Sequence, residues 1–366
     1  MLSREYGCQA AYTPMFHAAN FATQKKYRQK NFSTCSGDRP LFVQFCANNA
    51  DTLVNAAKFV EDQCDAVDIN LGCPQEIARR GNYGAFLQDD WNLISELVSR
   101  LRCSIGGKDI AVSCKIRRFN ELNKTIEYAK MLEKAGCTFI GLHARTREQR
   151  GCRTGVADWS YIKAVKDNIN IPVIANGNIQ SLKDAEECLS QTGADAIMTA
   201  EGNLYNPGLF RNIHPPAWQV ADRYLDYVEM YPIPAGMAKS HLFKLFHRCI
   251  SVEENAELRN SLGRSIELEH LRAVVRQFRD KFITIFGEQT DDIGGIPITV
   301  QPVPEHFCQP RYRYSEPISS AKCLQQVPKS KLTRIQIDVA EPGEISDDIE
   351  KNWTEISEKR IKLGGT

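Results

Sequence analysis

No stretch of the 366-residue sequence approaches the ~18 consecutive apolar residues that a membrane-spanning helix requires. The opening MLSREYGCQ likewise lacks the apolar core of a secretory signal. Also missing are any CxxC pair, any internal repeat beyond a βα unit, and any excess of one charge: 46 Lys and Arg stand against 45 Asp and Glu, a net charge of +1. Without CxxC pairs the usual zinc modules are excluded and no metal site is expected. Thirteen irregularly spaced cysteines in so long a chain do not read as the framework of a small secreted domain. They are read as reduced, and most as small buried hydrophobes. Balanced charge excludes bulk attraction to nucleic acid and directs attention to local charge. With 42% hydrophobic and 25% charged residues, collagen, coiled coil and wholesale disorder are excluded. A soluble intracellular protein with one large and one smaller domain is expected.

What the chain does have is a series of short runs rich in Val, Ile and Phe, at 10–13, 41–45, 66–70, 111–116, 139–143, 172–175 and 196–199. Helix-length segments with apolar residues at three- and four-residue spacing follow them. Residues 51–63 place Leu53, Ala56, Ala57 and Val60 on one face behind Asp51, which could cap them. Segments 125–135, 158–165 and 182–190 follow similar rules. Such alternation implies an α/β fold with a parallel sheet covered by helices, either a doubly wound open sheet or a closed TIM (β/α)8 barrel. The barrel explains more, because NLGCP, KIRR, HART, NGN and AEGN all sit at C-terminal strand ends, where barrel sites form. Seven runs are one fewer than a barrel needs, and LSREYG reads as the end of a helix, so a first strand is expected to be missing. The barrel is assigned to 1–210. An all-helical domain follows at 211–287, with helices at 218–230, 236–250 and 265–286, the last two carrying Lys239, Lys244, Arg248, Arg264, Arg272, Arg276, Arg279 and Lys281 on or beside them. Seven of the sixteen prolines fall after residue 287 among polar residues, which reads as a largely unstructured tail at 288–366.

The sharpest local signal is VDINLGCPQ, where a strand runs into Gly72 and Pro74 and lifts Cys73 onto a turn at the barrel mouth. Elsewhere a cysteine is usually just buried; here its place argues for chemistry. Gln44 interrupts the apolar FVQFC run, and its plain reading is a satisfied core amide. Lys115 in VSCKIRR needs an anionic partner if it faces the interior, and His143 in GLHART lies at the matching place one strand on. Asn176, Gly177 and Asn178, then Ala200, Glu201, Gly202 and Asn203, follow the last two strands, where barrels commonly hold phosphate on backbone N–H groups. Arg79, Arg80, Arg117, Arg118, Arg145, Arg147, Arg150 and Arg153 are spread over the same loops and suggest a polyanion lying across the mouth and the helical domain.

Taken in order, NLGCPQ, RRGNYGAFL, CKIR, LHARTREQ, ADW, IPVIANGNI and TGADAIM…NPGLF resemble the tRNA-dihydrouridine synthases over residues 12–210. CQAAYTPM, VQFCANN and AEGNLYNP are most similar to the eukaryotic branch acting on uridines 16 and 17 in the D-loop of cytoplasmic tRNA. The resemblance implies an FMN enzyme in which NADPH or NADH reduces the flavin and the flavin reduces the uracil. It implies Gln44, Lys115 and His143 as flavin-ring and ribityl contacts, and Asn176, Gly177, Asn178, Ala200 and Glu201 as phosphate contacts. Cys73 becomes the acid that protonates uracil C5, since an ordinary thiol of pKa about 8.5 is protonated at neutral pH. Asn70 becomes a uracil contact, and Arg145 and Arg147 become tRNA contacts. Lys115, read as always cationic, would favour the electron-rich reduced flavin. The expected uridine must leave its stack to react.

Two departures stand out. Most of the family has Gly-Arg where this chain has Ala200-Glu201, and its strand with an Ala-Pro-Met segment is expected upstream of this chain's start. Two other readings follow, a catalytically impaired tRNA-binding isoform and an FMN barrel for small molecules; the basic helical domain disfavours the second. A monomer in the cytoplasm, and also in the nucleus, is expected.

Overall fold

The computed structural model describes residues 1–105, 110–286, 296–297 and 303–311, which lie in a compact unit spanning Met1–Pro317. Eight strands belong to one parallel sheet: β1 Ala11–Tyr12, β2 Phe16–His17, β3 Leu41–Cys46, β4 Ala66–Leu71, β5 Ala111–Arg117, β6 Phe139–His143, β7 Val173–Asn176 and β8 Ala196–Met198. The ladder runs β1, β3, β4, β5, β6, β7, β8, and β2 extends the β1 side by pairing with the C-terminal end of β3. Among the described residues no ladder joins β1 to β8, so the sheet is a half-barrel with its helices outside.

Helices return the chain between strands because each carries one apolar stripe. Trp91–Ile105 buries Ile94, Leu97, Val98, Leu101 and Ile105, and Leu122–Lys134 buries Thr125, Tyr128, Ala129 and Leu132. The helix Ala50–Ala57 begins earlier than its apolar pattern suggested, because Asn49 rather than Asp51 caps it: Asn49 Oδ1 accepts the Thr52 N–H at 2.9 Å. These faces and the outward side chains of the strands form one core.

A second core lies under the helices Ala217–Met230, Ala235–Leu245 and Leu268–Phe286, where Phe246 and Phe278 stack at 4.2 Å between centroids. A further helix, Ala256–Arg264, was not legible because Leu262 is its one buried residue, too sparse a stripe to show a period. Tyr6, from the start of the chain, is buried in this second core. So is Cys308, and with it residues 303–311 depart from the expected unstructured tail. Ala217 N–H donates to the His306 carbonyl and Cys308 N–H to the Pro215 carbonyl, both at 2.8 Å, while Phe307 and Cys308 are buried. Two adjacent apolar residues and a pair of backbone hydrogen bonds suffice to order a segment whose composition is otherwise polar. The remaining tail, 312–366, lies outside the described residues.

Candidate active site

The central strands alternate. In β4, Val67, Ile69 and Leu71 enter the core shared with the helices, and the residues between them, Asp68 and Asn70, are polar and buried. In β5, Val112, Cys114 and Ile116 do the same and leave Ser113, Lys115 and Arg117 for the other face. Parallel register then aligns these polar positions across the sheet: Gln44 with Asp68 and Ser113, Asn70 with Lys115 and Gly141, Arg117 with His143 and Asn176. The half-barrel's inner face is therefore polar toward the C-terminal ends of its strands.

Cys73 sits just beyond β4 on a turn held from several sides. Asn70 Oδ1 accepts the Gly72 and Cys73 N–H groups at 3.1 and 2.8 Å. Arg117 Nε donates to the Gly72 carbonyl at 2.8 Å, and Ala85 N–H to the Cys73 carbonyl at 3.0 Å. Gly84, at φ +64°, lies so close that a Cβ would come within 2.8 Å of the Cys73 oxygen. The thiol-bearing residue is half-buried against a small apolar cluster that includes Cys46 and Tyr83. Burial pushes the Cys46 thiol up to about 12, so that neighbour stays protonated.

Lys115 Nζ donates to Asn176 Oδ1 at 2.9 Å, and Asn176 Nδ2 to the Met198 carbonyl at 2.9 Å. The ammonium keeps two further N–H donors. Its dense surroundings and the neighbouring Arg117 push it down to about 8 from an ordinary 10.5, while Asp68 pulls it back up. Lys115 thus holds its proton less tightly than an ordinary lysine. His143 is held well below the usual histidine range by burial and by Lys115, Arg117 and Arg145. Its Nε2 lies 3.0 Å from Arg145 Nη1. Arginine can only donate, so Nε2 accepts and the ring proton resides on Nδ1.

Next to these residues a cavity of about 450 Å³ is lined by His143, Arg145, Asn176, Gly177, Asn178, Ala200, Glu201 and Gly202, among others. Gly177 has φ +121°, and a Cβ there would come within 2.6 Å of Ala157 Cβ and 3.2 Å of His143 Cδ2. Trp159 Nε1 fixes its carbonyl at 2.9 Å. Gly177→Ala is expected to cost about 1–3 kcal/mol of stability, because both its conformation and its space are denied to a side chain. Thermal melts check this, and an unchanged Tm would show that the loop relaxes freely.

The cavity's dimensions, the bare backbone at Gly177 and the cation of Arg145 fit a phosphate-bearing group. Asp184 and Glu201, also on its wall, oppose an anion, and Asp184 is already engaged by the Gln180 and Ser181 N–H groups at 2.9 and 2.8 Å. His143, Asn176, Gly177, Asn178, Ala200 and Glu201 line this cavity and Lys115 is bonded to Asn176 at its wall, whereas Gln44, Asn70 and Cys73 are joined to one another on the neighbouring β3 and β4 and are not wall residues.

The two expected tRNA contacts behave differently. Arg145 is buried: its guanidinium donates to the Gly155 carbonyl at 3.0 and 3.2 Å and to Asn178 Oδ1, forming cavity wall rather than an exposed cation. Arg147 pairs with Asp89 and Glu148, each at 3.2 Å. Arg117 is buried on the Gly72, Thr146 and Gln149 carbonyls, and Arg79 and Arg80 pair with Glu76. In the helical part Arg272 meets Asp222, Asp226 and Glu229. Much of the basic charge counted along the sequence is thus neutralised by the fold. Lys244, Arg248 and Arg264 have no carboxylate partner within 4 Å among the described residues.

Two residues escaped sequence reasoning. Arg117 was counted only as surface charge. Asp68, fully buried, accepts Ser113 Oγ at 2.6 Å and Gln44 Nε2 at 2.8 Å. The strict alternation of VDINL was the signal for it, since a strand buried on both faces has no reason to carry an acid inside.

The family profile described as Dihydrouridine synthase (Dus) matches residues 1–289. A tRNA-dihydrouridine(16/17) synthase [NAD(P)(+)]-like protein of Rattus norvegicus is 44% identical over 315 residues, 86% of this chain and 70% of that protein; this chain spans 65% of the Mus musculus counterpart. The tRNA-dihydrouridine(16/17) synthase [NAD(P)(+)] of Saccharomyces cerevisiae is 40% identical over 356 residues, covering 89% of this chain and 83% of that one. A Homo sapiens tRNA-dihydrouridine(20a/20b) synthase [NAD(P)+]-like protein is 36% identical over 69% of this chain and 79% of its own length. With a family match across most of its length and relatives this similar, the chain belongs to the dihydrouridine synthase family of oxidoreductases.

Proposed function

We propose that this chain reduces uridine to 5,6-dihydrouridine in the D-loop of cytoplasmic tRNA, at positions 16 and 17, with FMN as the bound cofactor and NADPH or NADH as reductant. The observation that carries this reading is the placement of Cys73 on a braced turn beyond the end of β4, at the same C-terminal edge of the sheet as the Lys115 and Asn176 pair, with Asn176 on the wall of a phosphate-sized cavity. FMN, when bound, supplies hydride transfer to the uracil. Asn176, Gly177, Asn178, Ala200 and Glu201 would hold its phosphate end, and Gln44, Lys115 and His143 its ring and ribityl side.

The protein's own part is proton management. A uracil gaining hydride at C6 builds negative charge at C5 and O4, so it needs a proton at C5. Cys73 Sγ, on the turn beyond β4, is the side chain assigned to give it. Bracing of its turn by Asn70, Arg117 and Gly84 limits the wandering that would waste that donor. Lys115, with two N–H donors to spare, stabilises negative charge at the cavity. Lys244, Arg248 and Arg264 provide cations for the tRNA backbone, and the protein acts as a monomer in the cytoplasm and nucleus.

Purified protein should be yellow, with a band at about 450 nm from bound flavin. It should also convert unmodified tRNA to dihydrouridine-containing tRNA with NADPH. A colourless protein inactive even with added FMN would leave a tRNA-binding, catalytically impaired chain as the better reading.

A further inference from the structure

Three successive hydrogen-bond steps link a fully buried carboxylate to the turn that carries Cys73. Gln44 Nε2 donates to Asp68 Oδ2 at 2.8 Å, and Asn70 Nδ2 donates to Gln44 Oε1 at 2.8 Å. Asn70 Oδ1 then accepts from the Gly72 and Cys73 amides at 3.1 and 2.8 Å. Both ends of this series have a single possible polarity, because an ionised carboxylate only accepts and a backbone N–H only donates. Each amide between them must therefore turn its nitrogen toward Asp68 and its oxygen toward Cys73. Flipping either would set nitrogen against nitrogen or oxygen against oxygen among buried side chains. The other Asp68 oxygen accepts Ser113 Oγ at 2.6 Å, which holds the carboxylate in place.

We propose that Asp68 is a positioning residue for the reaction: through the oriented amides of Gln44 and Asn70 it holds the Cys73 turn in register with the mouth of the half-barrel. This rests on the reading of Cys73 as the proton donor. Asp68 lies on β4 in the row of Gln44 and Ser113, two residues before Asn70, and acts only through its neighbours. A buried acid is a costly way to fill that space; burial pushes its carboxyl up to about 6. What an apolar residue could not supply is the direction of the two amides. Asparagine could supply it, because the Ser113 hydroxyl can reverse to accept the new amide nitrogen while Oδ1 keeps the Gln44 bond. Alanine cannot.

The test compares Asp68→Ala, Asp68→Asn, Gln44→Met and the Asp68→Ala/Gln44→Met double variant in the full flavin-loaded chain, with NADPH and unmodified tRNA. Asp68→Ala should lower kcat for dihydrouridine formation about 10–100-fold through misplacement of the donor. With rates taken per bound flavin, because Gln44 is also assigned to the flavin, the KM for tRNA should stay within about twofold, as for a loss confined to the chemical step. Asp68→Asn should keep kcat within about threefold, and the double variant should be no worse than Gln44→Met alone, because residues on one relay do not add. In flavin-free protein, iodoacetamide labelling of Cys73, read by peptide mass against the exposed Cys103, should change several-fold in Asp68→Ala and return in Asp68→Asn. Should the alanine variant not fold, Asp68→Ser carries the same test, since its hydroxyl fills part of the space but is shorter than the carboxylate that holds Gln44. An unchanged kcat, or losses that multiply in the double variant, would overturn the relay. A wild-type chain that neither binds flavin nor makes dihydrouridine would strike the functional reading instead, and the labelling result alone would then decide the relay.

Discussion

Cys73→Ala is expected to lower dihydrouridine formation by about 10²–10⁴-fold, the range for removing a positioned proton donor. NADPH consumption and the flavin spectrum should be nearly unchanged. The expectation follows from location. Cys73 stands beyond the end of β4 with its main chain bonded to Asn70 and Ala85, so truncating the side chain leaves those bonds in place. Cys46 cannot take over, since its thiol is buried within the same cluster and held protonated. Single-turnover assays with pre-reduced enzyme measure the step directly. Loss of flavin reduction together with uracil reduction would instead make Cys73 a structural residue.

The second large effect is expected at Lys115. Lys115→Met should lower dihydrouridine formation by about 10²–10³-fold, as when one preorganised charge or donor is removed from an active site. Its stability signature has a defined sign. With a folded value of about 8 against an ordinary 10.5, the native chain binds fewer protons than the unfolded chain between those limits. Stability contributed by this group therefore rises as pH rises through that window, and the cost of the crowded, half-buried ammonium is in force below about pH 8. The groups facing it include Arg117, which deepens the cost, Asp68, which lessens it, Asn176, which accepts from its Nζ, and His143, itself held neutral in part by Lys115. Flavin-free wild type should thus gain stability relative to Lys115→Met between pH 7.5 and 9.5, within the window set by those values. Urea melts at the two pH values check this; parallel curves would mean that Lys115 is hydrated rather than buried.

The strand pattern was readable because these strands are marked twice, by β-branched runs and by the glycine and polar residues that follow them. Helices were readable where the apolar stripe is dense, as in Leu122–Lys134, and unreadable in Ala256–Arg264, where only Leu262 is buried. The candidate site was legible at strand ends, where Cys73, Lys115, His143 and Asn176 stand. Asp68 and the structural duties of Arg117 and Arg145 were not, because a residue's partners lie on other strands. Gln44, for instance, meets Asp68 and Asn70, 24 and 26 residues away.

Residue order alone thus determined the βα alternation, the polar mouth and the family, since these depend on local pattern and motif. Only the tertiary structure decided which charges remain for a ligand and which are spent on the fold. Arg145 and Arg147 look alike in the sequence, yet one is buried in a cavity wall and the other tied at the surface to Asp89 and Glu148. Solvation and pairing depend on what the chain brings alongside, and that is set by strand register rather than by neighbours in sequence.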